Sequence, residues 1–486
     1  MSLARTVALT TASLVAGRVL AVLAGIGAVA LASRYLGVEG FGALTLAMAI
    51  VSLVAVLTDL GMSTMAAREI AREPEREREI VGNVRTLGLV LGLASAVVLL
   101  GVAEVAYAGD PDVRRAIFVL SAQLLSTPFV SAARAHMQAT QRGPAIAVGD
   151  VVLAVAMLVA SLVVVEADLG FTAMVGAVAA GYVAQALAMT GLMRRGARSA
   201  WSARRSAWGV LLRISLPLGA TMIVNFLYFR LDVVLLSILT GNEAVAVYGL
   251  AYRVLEGLMV FPAYFMLALF PEIARLTGQK ERVDGIVRAA LGAMEVLVLP
   301  LVLVFVLYAD EVILLIGGER FDEAAWVLRI LMLALAISYL SGVYGNALPA
   351  LGLQNQMFRW SLVVLGFNLV ANLVLIPPFG APGAAVAVVL SEVVGFMVVR
   401  RLYAQVGTAP RPAIDARILF AGAVMAATMA PLLLLPDDPA ALLLTVGLGG
   451  AAGFAAYAAA LIALRAVPAP IAAHLPRSIP GLGKNS

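Results

Sequence analysis

At 486 residues, 62% hydrophobic and 13% charged, the chain is far more apolar than a soluble protein, whose domains run at about 45–50% apolar and about 25% charged. A net charge of +5 and an isoelectric point near 9.6 would suit a nucleic-acid partner, but the basic residues sit in short loops between apolar segments, as membrane orientation requires, and nucleic acid is excluded. With no cysteine there is no disulfide or thiolate metal site, and the two histidines, His136 and His474, lie too far apart in sequence to form a metal motif.

A mean hydropathy of +0.99, carried by continuous rather than alternating apolar runs, predicts an all-α polytopic membrane protein and not a β-barrel. Fourteen helical spans read off in order, at about 11–33, 41–66, 86–108, 116–137, 146–165, 172–193, 214–239, 244–271, 289–308, 324–349, 360–377, 382–402, 418–435 and 441–464. The first run flows directly into the second span, so it reads as a retained helix rather than a signal peptide. Span eleven ends at Pro377-Pro378.

Arginine and lysine set the orientation. With the N-terminus taken as cytoplasmic, the inner loops carry Arg68, Arg72, Arg76, Arg78 and Arg85, then Arg194, Arg195, Arg198, Arg204, Arg205 and Arg213. Arg275, Lys280, Arg282 and Arg288 follow, then Arg400, Arg401, Arg411 and Arg417. The opposite loops hold only Arg34, Arg114, Arg115 and Arg320; Glu166-Ala167-Asp168, Thr240–Glu243 and Pro436-Asp437-Asp438-Pro439 carry no basic residue. Both termini are therefore expected in the cytoplasm. The segment Glu73–Glu79, with its alternating arginines, reads as a solvated helix face.

No loop is long enough to be an extramembrane domain; the longest runs from Arg194 to Arg213. The chain repeats itself across that loop. Gly37-Val38-Glu39 and Leu46-Ala47 recur as Gly241-Asn242-Glu243 and Leu250-Ala251. Glu69-Ile70-Ala71-Arg72 recurs letter for letter as Glu272-Ile273-Ala274-Arg275, and Gly82-x-Val84-Arg85 as Gly285-x-Val287-Arg288. The expected organisation is two six-helix halves in the same membrane orientation, 1–200 and 205–405, with a helix pair appended at 414–465. Such parallel halves, related by rotation about the membrane normal, place a transporter's substrate site between them.

Spans seven and eight form a hairpin interrupted by four ionisable residues, Arg230, Asp232, Arg253 and Glu256. A charge at mid-membrane costs from about 3 to above 10 kcal/mol, so each needs a partner, water or a task. Arg230 and Arg253 stand equally far in sequence from the centre of the Thr240–Glu243 turn, roughly 17 Å along their helices and near the middle of a layer about 30 Å thick. A snorkelling arginine reaches only about 6–7 Å, so the pair lines a cavity or is paired across helices. Glu256 shares a face with Arg253. Asn225, Tyr228 and Asp232 fall on one helix stripe, either as polar glue between helices or as an ion- or sugar-facing wall. Arg18 and Asp59 fall at equal depth in the first hairpin, which predicts a salt bridge or a substrate entrance on the cytoplasmic side. Asp150, Glu295, Arg329 and Glu392 are assigned no role, and Gly88-x-x-x-Gly92 reads as close helix packing.

Ser33-Arg34-Tyr35-Leu36-Gly37-Val38-Glu39-Gly40-Phe41-Gly42, running on to Thr58-Asp59-Leu60-Gly61 and Arg68-Glu69-Ile70-Ala71-Arg72, resembles the N-terminal signature of prokaryotic polysaccharide-biosynthesis flippases of the multidrug/oligosaccharidyl-lipid/polysaccharide exporter superfamily. Arg230-x-Asp232, Tyr248-x-x-Ala251-Tyr252-Arg253 and Phe270-Pro271-Glu272 resemble the start of that family's second half. The resemblance implies a flippase that carries a lipid-diphosphate-linked sugar to the outer leaflet by alternating access. Arg253-x-x-Glu256 is similar to the Arg-x-x-Glu of the eighth helix of lipid II flippases, with Tyr252 where that pattern has an acidic residue. Asn368-x-x-x-Asn372 resembles the helix-eleven part of a sodium site in some relatives, with an amide replacing the second carboxylate and Asp232 as the helix-seven carboxylate.

The first reading is a flippase for a polyprenyl- or dolichyl-linked oligosaccharide in the cell membrane, acting as a monomer. Arg230, Arg253, Glu256 and Arg18 are its substrate-binding candidates, and Asp232, Asn368, Asn372 and Asp59 its ion or counterion candidates. Guanidinium groups fork onto a diphosphate and repel a cationic drug, which sets this reading against its rival, a cation-coupled multidrug exporter. A membrane glycan polymerase or ligase would need a large outer loop with catalytic residues, and none is present. There is no nucleotide-binding motif, so no cofactor is expected beyond a coupling Na+ or H+.

Overall fold

The computed structural model describes residues 3–193, 195–198, 200–412, 415–434, 442 and 444–466. Arg194, the Pro436-Asp437-Asp438-Pro439 loop and His474 lie outside the described residues. The chain forms α1 (Leu3–Asp59), α2 (Met62–Arg72), α3 (Glu77–Ala106), α4 (Pro111–Leu120), α5 (Ala122–Ala139), α6 (Gly143–Glu166), α7 (Gly170–Leu192), α8 (Arg195–Arg198) and α9 (Arg205–Leu239). These are followed by α10 (Asn242–Leu258), α11 (Val260–Arg275), α12 (Lys280–Leu307), α13 (Ala309–Ile316), α14 (Glu323–Ala350), α15 (Gln354–Tyr403), α16 (Ala416–Met429) and α17 (Gly450–Ala463). No strand occurs among the described residues.

Eleven helical segments are long and apolar enough to cross a membrane. Two of them hold two expected spans each, because α1 breaks at Gly37 (φ 69°) and α15 at Gly380 (φ 58°), left-handed conformations that glycine adopts without penalty. The expected boundary at Pro377-Pro378 thus moves to Gly380, and both prolines stay inside the helical run. Gly383 lies directly against the Leu375 carbonyl, the close approach that such a hairpin needs. The remaining expected span, the eighth, is divided between α10 and α11, each too short to be counted alone. Every expected span is therefore helical over most of its described length. Large side chains such as Val98, Leu187 and Ile238 point outward, giving the apolar exterior a bilayer solvates.

Three spans expected to be continuous are broken, span four by the single residue Ser121 between α4 and α5. Span two ends at Asp59 and restarts at Met62, with Leu60 (φ 46°) and Gly61 (φ 76°) both left-handed. Span eight breaks at Met259. The expected four-residue turn Thr240–Glu243 shortens to Thr240-Gly241, because α10 already begins at Asn242.

The chain divides into two compact units, Met1–Ala246 and Val247–Ser486. In the first, α6 packs on α1 and α7, α5 on α3, α7 and α2, and α9 on α1 and α2. This packing places α9 with the first unit, whereas the sequence repeat put the division at 200–205. In the second, α14 packs on α15, α12 and α11, and the α16–α17 pair packs on α12.

Within each unit, loops expected on one side of the membrane bond to one another. On the expected outer side, Tyr35 donates to Asp168 (2.7 Å) and Asn242 donates to Asp110 (2.6 Å), while Gly42 lies directly against the Asn242 backbone. In the second unit Arg329 meets Asp310, and Tyr308 donates to the Met429 carbonyl (2.9 Å). On the expected inner side, Asp284 accepts from Tyr403 (2.8 Å) and from the Thr408 amide (2.8 Å) and hydroxyl (2.7 Å). A reporter fused after Asn242 should therefore lie on the opposite side of the membrane from one fused after Gln279; finding both on one side contradicts the helix count here.

The inner side of the first unit also holds the long loop. Arg85, counted above among orientation-setting loop residues, is instead fully buried. Its Nη1 donates to the carbonyls of Arg198 (2.9 Å) and Ala200 (3.1 Å), and its guanidinium lies over the rings of Phe129 (5.6 Å) and Trp201 (5.3 Å). Thr86 donates to the Ser202 carbonyl, the Arg204 amide donates to Asn83 (3.0 Å), and Arg204 pairs with Glu79 (3.0 Å). A β-carbon on Gly82 would sit 2.7 Å from the Ser202 nitrogen, so only glycine lets the loop lie this close to α3. Residues Ala200 to Arg204 form a strap clamped along α3.

Candidate functional site

Spans two and eight carry site candidates beside their breaks, and interrupted membrane helices are where transporters build their sites. In the first unit Asp59 stands at the end of α1. Its carboxylate accepts from the Ser63 amide (3.2 Å) and hydroxyl (3.0 Å), so it caps the restarted helix α2. This corrects the expected Arg18–Asp59 salt bridge: among the described residues no ion pair joins the two, because a partner four residues on satisfies the carboxylate locally. Arg18 is half-buried on α1, and its Nε has no hydrogen-bond partner among the described residues.

The Leu60-Gly61 break rests on α9. A β-carbon on Gly219 would come within 2.7 Å of the Leu60 carbonyl oxygen, and one on Gly61 within 3.0 Å of the Leu218 side chain. Gly219→Val should therefore force the two backbones apart and lower stability by about 1–3 kcal/mol, read as a drop in melting temperature of the detergent-solubilised protein; an unchanged melt contradicts the contact. Further along α9, Asp232 is buried, accepting from the Val233 amide (2.8 Å), while Arg230 is half-buried. Tyr228 of the expected polar stripe is half-buried, and Asn225 is exposed.

In the second unit Arg253 donates to Glu256 at 3.1 Å, as their shared face predicts. Their side chains are 25% and 30% exposed, so the pair is neither sealed in the core nor open on a surface. It lies in the last turns of α10, about 17 Å from the start of that helix and just before the break at Met259. Tyr248 and Tyr252 stack on the buried face of the same helix, with centroids 5.3 Å apart. Asn368 and Asn372 are buried on α15. Asn372 donates to the Asn368 carbonyl (2.9 Å) and side-chain oxygen (3.1 Å), and Asn368 donates to Ser391 (3.1 Å). The side-chain oxygen of Asn372 has no hydrogen-bond partner among the described residues.

The structure thus pairs Arg253 with Glu256 and Asn368 with Asn372, but leaves Arg18 and Asp59 unjoined. Sequence reasoning missed Ser391, Tyr339 and the breaks at Leu60-Gly61 and Met259. The glycine of Leu60-Gly61 and the proline of Phe261-Pro262 were the available signals.

Groups of three or more side chains that could hold a metal ion are absent among the described residues. What the fold presents is charged and amide side chains inside apolar helices, the layout of a polytopic membrane transporter. The polysaccharide biosynthesis protein family matches residues 8–277 of the chain, and the chain belongs to that family. The MatE family matches residues 217–374. Among curated proteins, the chain is 30% identical over 203 residues to the "Probable flippase AglR" of Haloferax volcanii, covering 40% of this chain and 43% of that protein. It is 26% identical over 195 residues to the "Probable low-salt glycan biosynthesis flippase Agl15" of the same organism, covering 38% of this chain and 41% of that protein. These matches span well under half of either relative. Among solved structures, "Lipid II flippase MurJ, inward closed conformation" superposes with a TM-score of 0.75 at 12% identity, covering 94% of this chain and 99% of that one, a likeness of fold.

Proposed function

We propose that the chain flips a lipid-diphosphate-linked oligosaccharide from the cytoplasmic to the outer leaflet of the cell membrane, as a transporter rather than an enzyme. The single observation that carries this reading is the Arg253–Glu256 pair, half-exposed at the broken end of α10, deep inside an apolar span. An arginine so placed offers a forked donor that matches the phosphoryl oxygens of a diphosphate, with Glu256 holding it while substrate is absent. Both Haloferax relatives are named as probable flippases, one of them for glycan biosynthesis, which supports a flippase reading. Arg230 and Arg18 are further substrate contacts on this reading, and Asp232 and Asp59 balance the charge. Alternating access then exposes the head group to each side in turn, with the lipid tail left in the bilayer. The carrier is a polyprenol or dolichol, both termini are cytoplasmic, and the protein works as a monomer.

The test is mass spectrometry of lipid-linked glycans in cells depleted of the protein. The proposal expects a lipid-diphosphate oligosaccharide to accumulate; an unchanged pool contradicts it. The match to the MatE family favours a second reading, a cation-coupled drug exporter. Against it stands the arginine of the α10 pair, which repels the cationic compounds such a protein would carry.

Transport is proposed to be driven by a cation gradient. Asn368, Asn372 and Ser391 gather amide and hydroxyl oxygens at a buried position within α15, and the unpartnered Asn372 oxygen is an acceptor that Na+ satisfies better than H+. Replacing Na+ by K+ should slow transport severalfold in the wild type, and Asn372→Leu should remove that dependence. Equal rates in the two salts for the wild type contradict Na+ coupling.

A further inference from the structure

The break in span eight has a specific cause. Pro262 is the third residue of α11 and has no amide hydrogen, so the Leu258 carbonyl, four residues earlier, loses the donor a continuous helix would supply. A bare carbonyl inside a membrane span is costly, and such a break persists only where something else satisfies it. Here the buried Tyr339 of α14 does so: its hydroxyl donates to the Leu258 oxygen at 2.9 Å. One turn further along α14, a β-carbon on Gly342 would sit 3.3 Å from the Pro262 ring, so the absence of a side chain there makes room for the proline. α14 therefore presents a donor for the freed carbonyl and a notch for the ring that freed it.

Leu258 is the last residue of α10, in the same turn as Glu256, which holds Arg253. We infer that Tyr339 is a positioning residue for the Arg253–Glu256 pair: by fixing the broken end of α10 against the Gly342 notch, it sets the direction in which the guanidinium meets a diphosphate. The inference rests on the proposed role of Arg253. Supporting groups that orient a binding side chain govern affinity without touching the ligand. A tyrosine that only satisfied a stray carbonyl would instead be dispensable once that carbonyl had another donor.

The experiment uses the full-length protein in nanodiscs and farnesyl diphosphate as a soluble prenyl diphosphate probe, with binding and melting temperature measured for four proteins. Arg253→Ala should lose most of the binding at an unchanged melt. Tyr339→Phe keeps the ring and removes only the hydroxyl; it should weaken binding on the order of tenfold, the lower end of what supporting groups govern elsewhere, and lower the melt. Tyr339→Phe combined with Pro262→Ala returns an amide hydrogen to Leu258, so the melt should recover while binding stays weak, because the break is healed. Gly342→Ala presses on Pro262 and should also weaken binding, which keeps the test open should Tyr339→Phe fail to fold. Recovery of binding together with the melt in the double variant overturns the inference, as does wild-type affinity in Tyr339→Phe or Gly342→Ala while Arg253→Ala has lost it. Wild-type affinity in Arg253→Ala overturns the diphosphate reading itself, and the inference with it.

Discussion

Arg253→Ala should abolish flipping, by a factor of a hundred or more (about 3 kcal/mol), with protein level and melting temperature near wild type. The reason lies in where the side chain stands. It is 25% exposed and bonded to Glu256 within its own helix, so its removal opens no sealed void in the core. Arg253→Lys should restore little, since an ammonium cannot make the forked contact with two phosphoryl oxygens. A purely structural arginine behaves in the opposite way: its loss would lower the amount of folded protein, and replacing Arg253 and Glu256 together by apolar residues would rescue it. Rescue with transport intact contradicts the proposed role.

Arg85→Ala should be the most destabilising single substitution in the first unit, by roughly 3–5 kcal/mol. Two carbonyls, the part-buried one of Arg198 and the buried one of Ala200, lose their donor, the buried loss at about 1–3 kcal/mol, and the ring contacts with Phe129 and Trp201 go with them. No carboxylate lies within ion-pairing distance of Arg85 among the described residues, so the strap's own backbone and the two rings are what hold the charge. The melting temperature of the purified protein should fall, and limited trypsin digestion should now cut at Arg198 or Arg204 before any other site. Arg85→Lys should recover part of the loss. A wild-type melt with an uncut strap contradicts the clamp.

Arg85 also shows where reading the sequence stopped. The charge pattern identified it as a basic residue at the inner end of a span, and that much holds. Whether an arginine at that depth faces head groups or grips a passing loop depends on residues more than a hundred positions away, which no local pattern encodes. The fourteen spans were legible because hydropathy is a local property summed over a whole helix. The breaks were not, because Leu60 and Met259 are apolar residues within apolar runs and hydropathy does not change across them. Pro262 was visible in the sequence, but a proline in the first turn of a helix and one that ends a helix look alike until the facing helix is known. The Arg18–Asp59 pairing failed for a related reason. Equal depth on two helices brings side chains to one level, yet Ser63, on the next turn of the same chain, reached the carboxylate first. Where the partner was local, as in Arg253–Glu256, the spacing in the sequence predicted the contact.

The central claim is that the chain moves a lipid-diphosphate-linked oligosaccharide between leaflets. The most direct measurement is a leaflet assay in proteoliposomes containing Na+ and such a lipid. The fraction of the sugar open to an external lectin or glycosidase is followed over time, with the wild type, Arg253→Ala and protein-free vesicles side by side. The account predicts that the protected half of the glycan becomes accessible with the wild type on a timescale of seconds to minutes, and stays protected in the other two samples. Protection that persists with folded wild-type protein, or loss of protection at equal rates with wild type and Arg253→Ala, would contradict it.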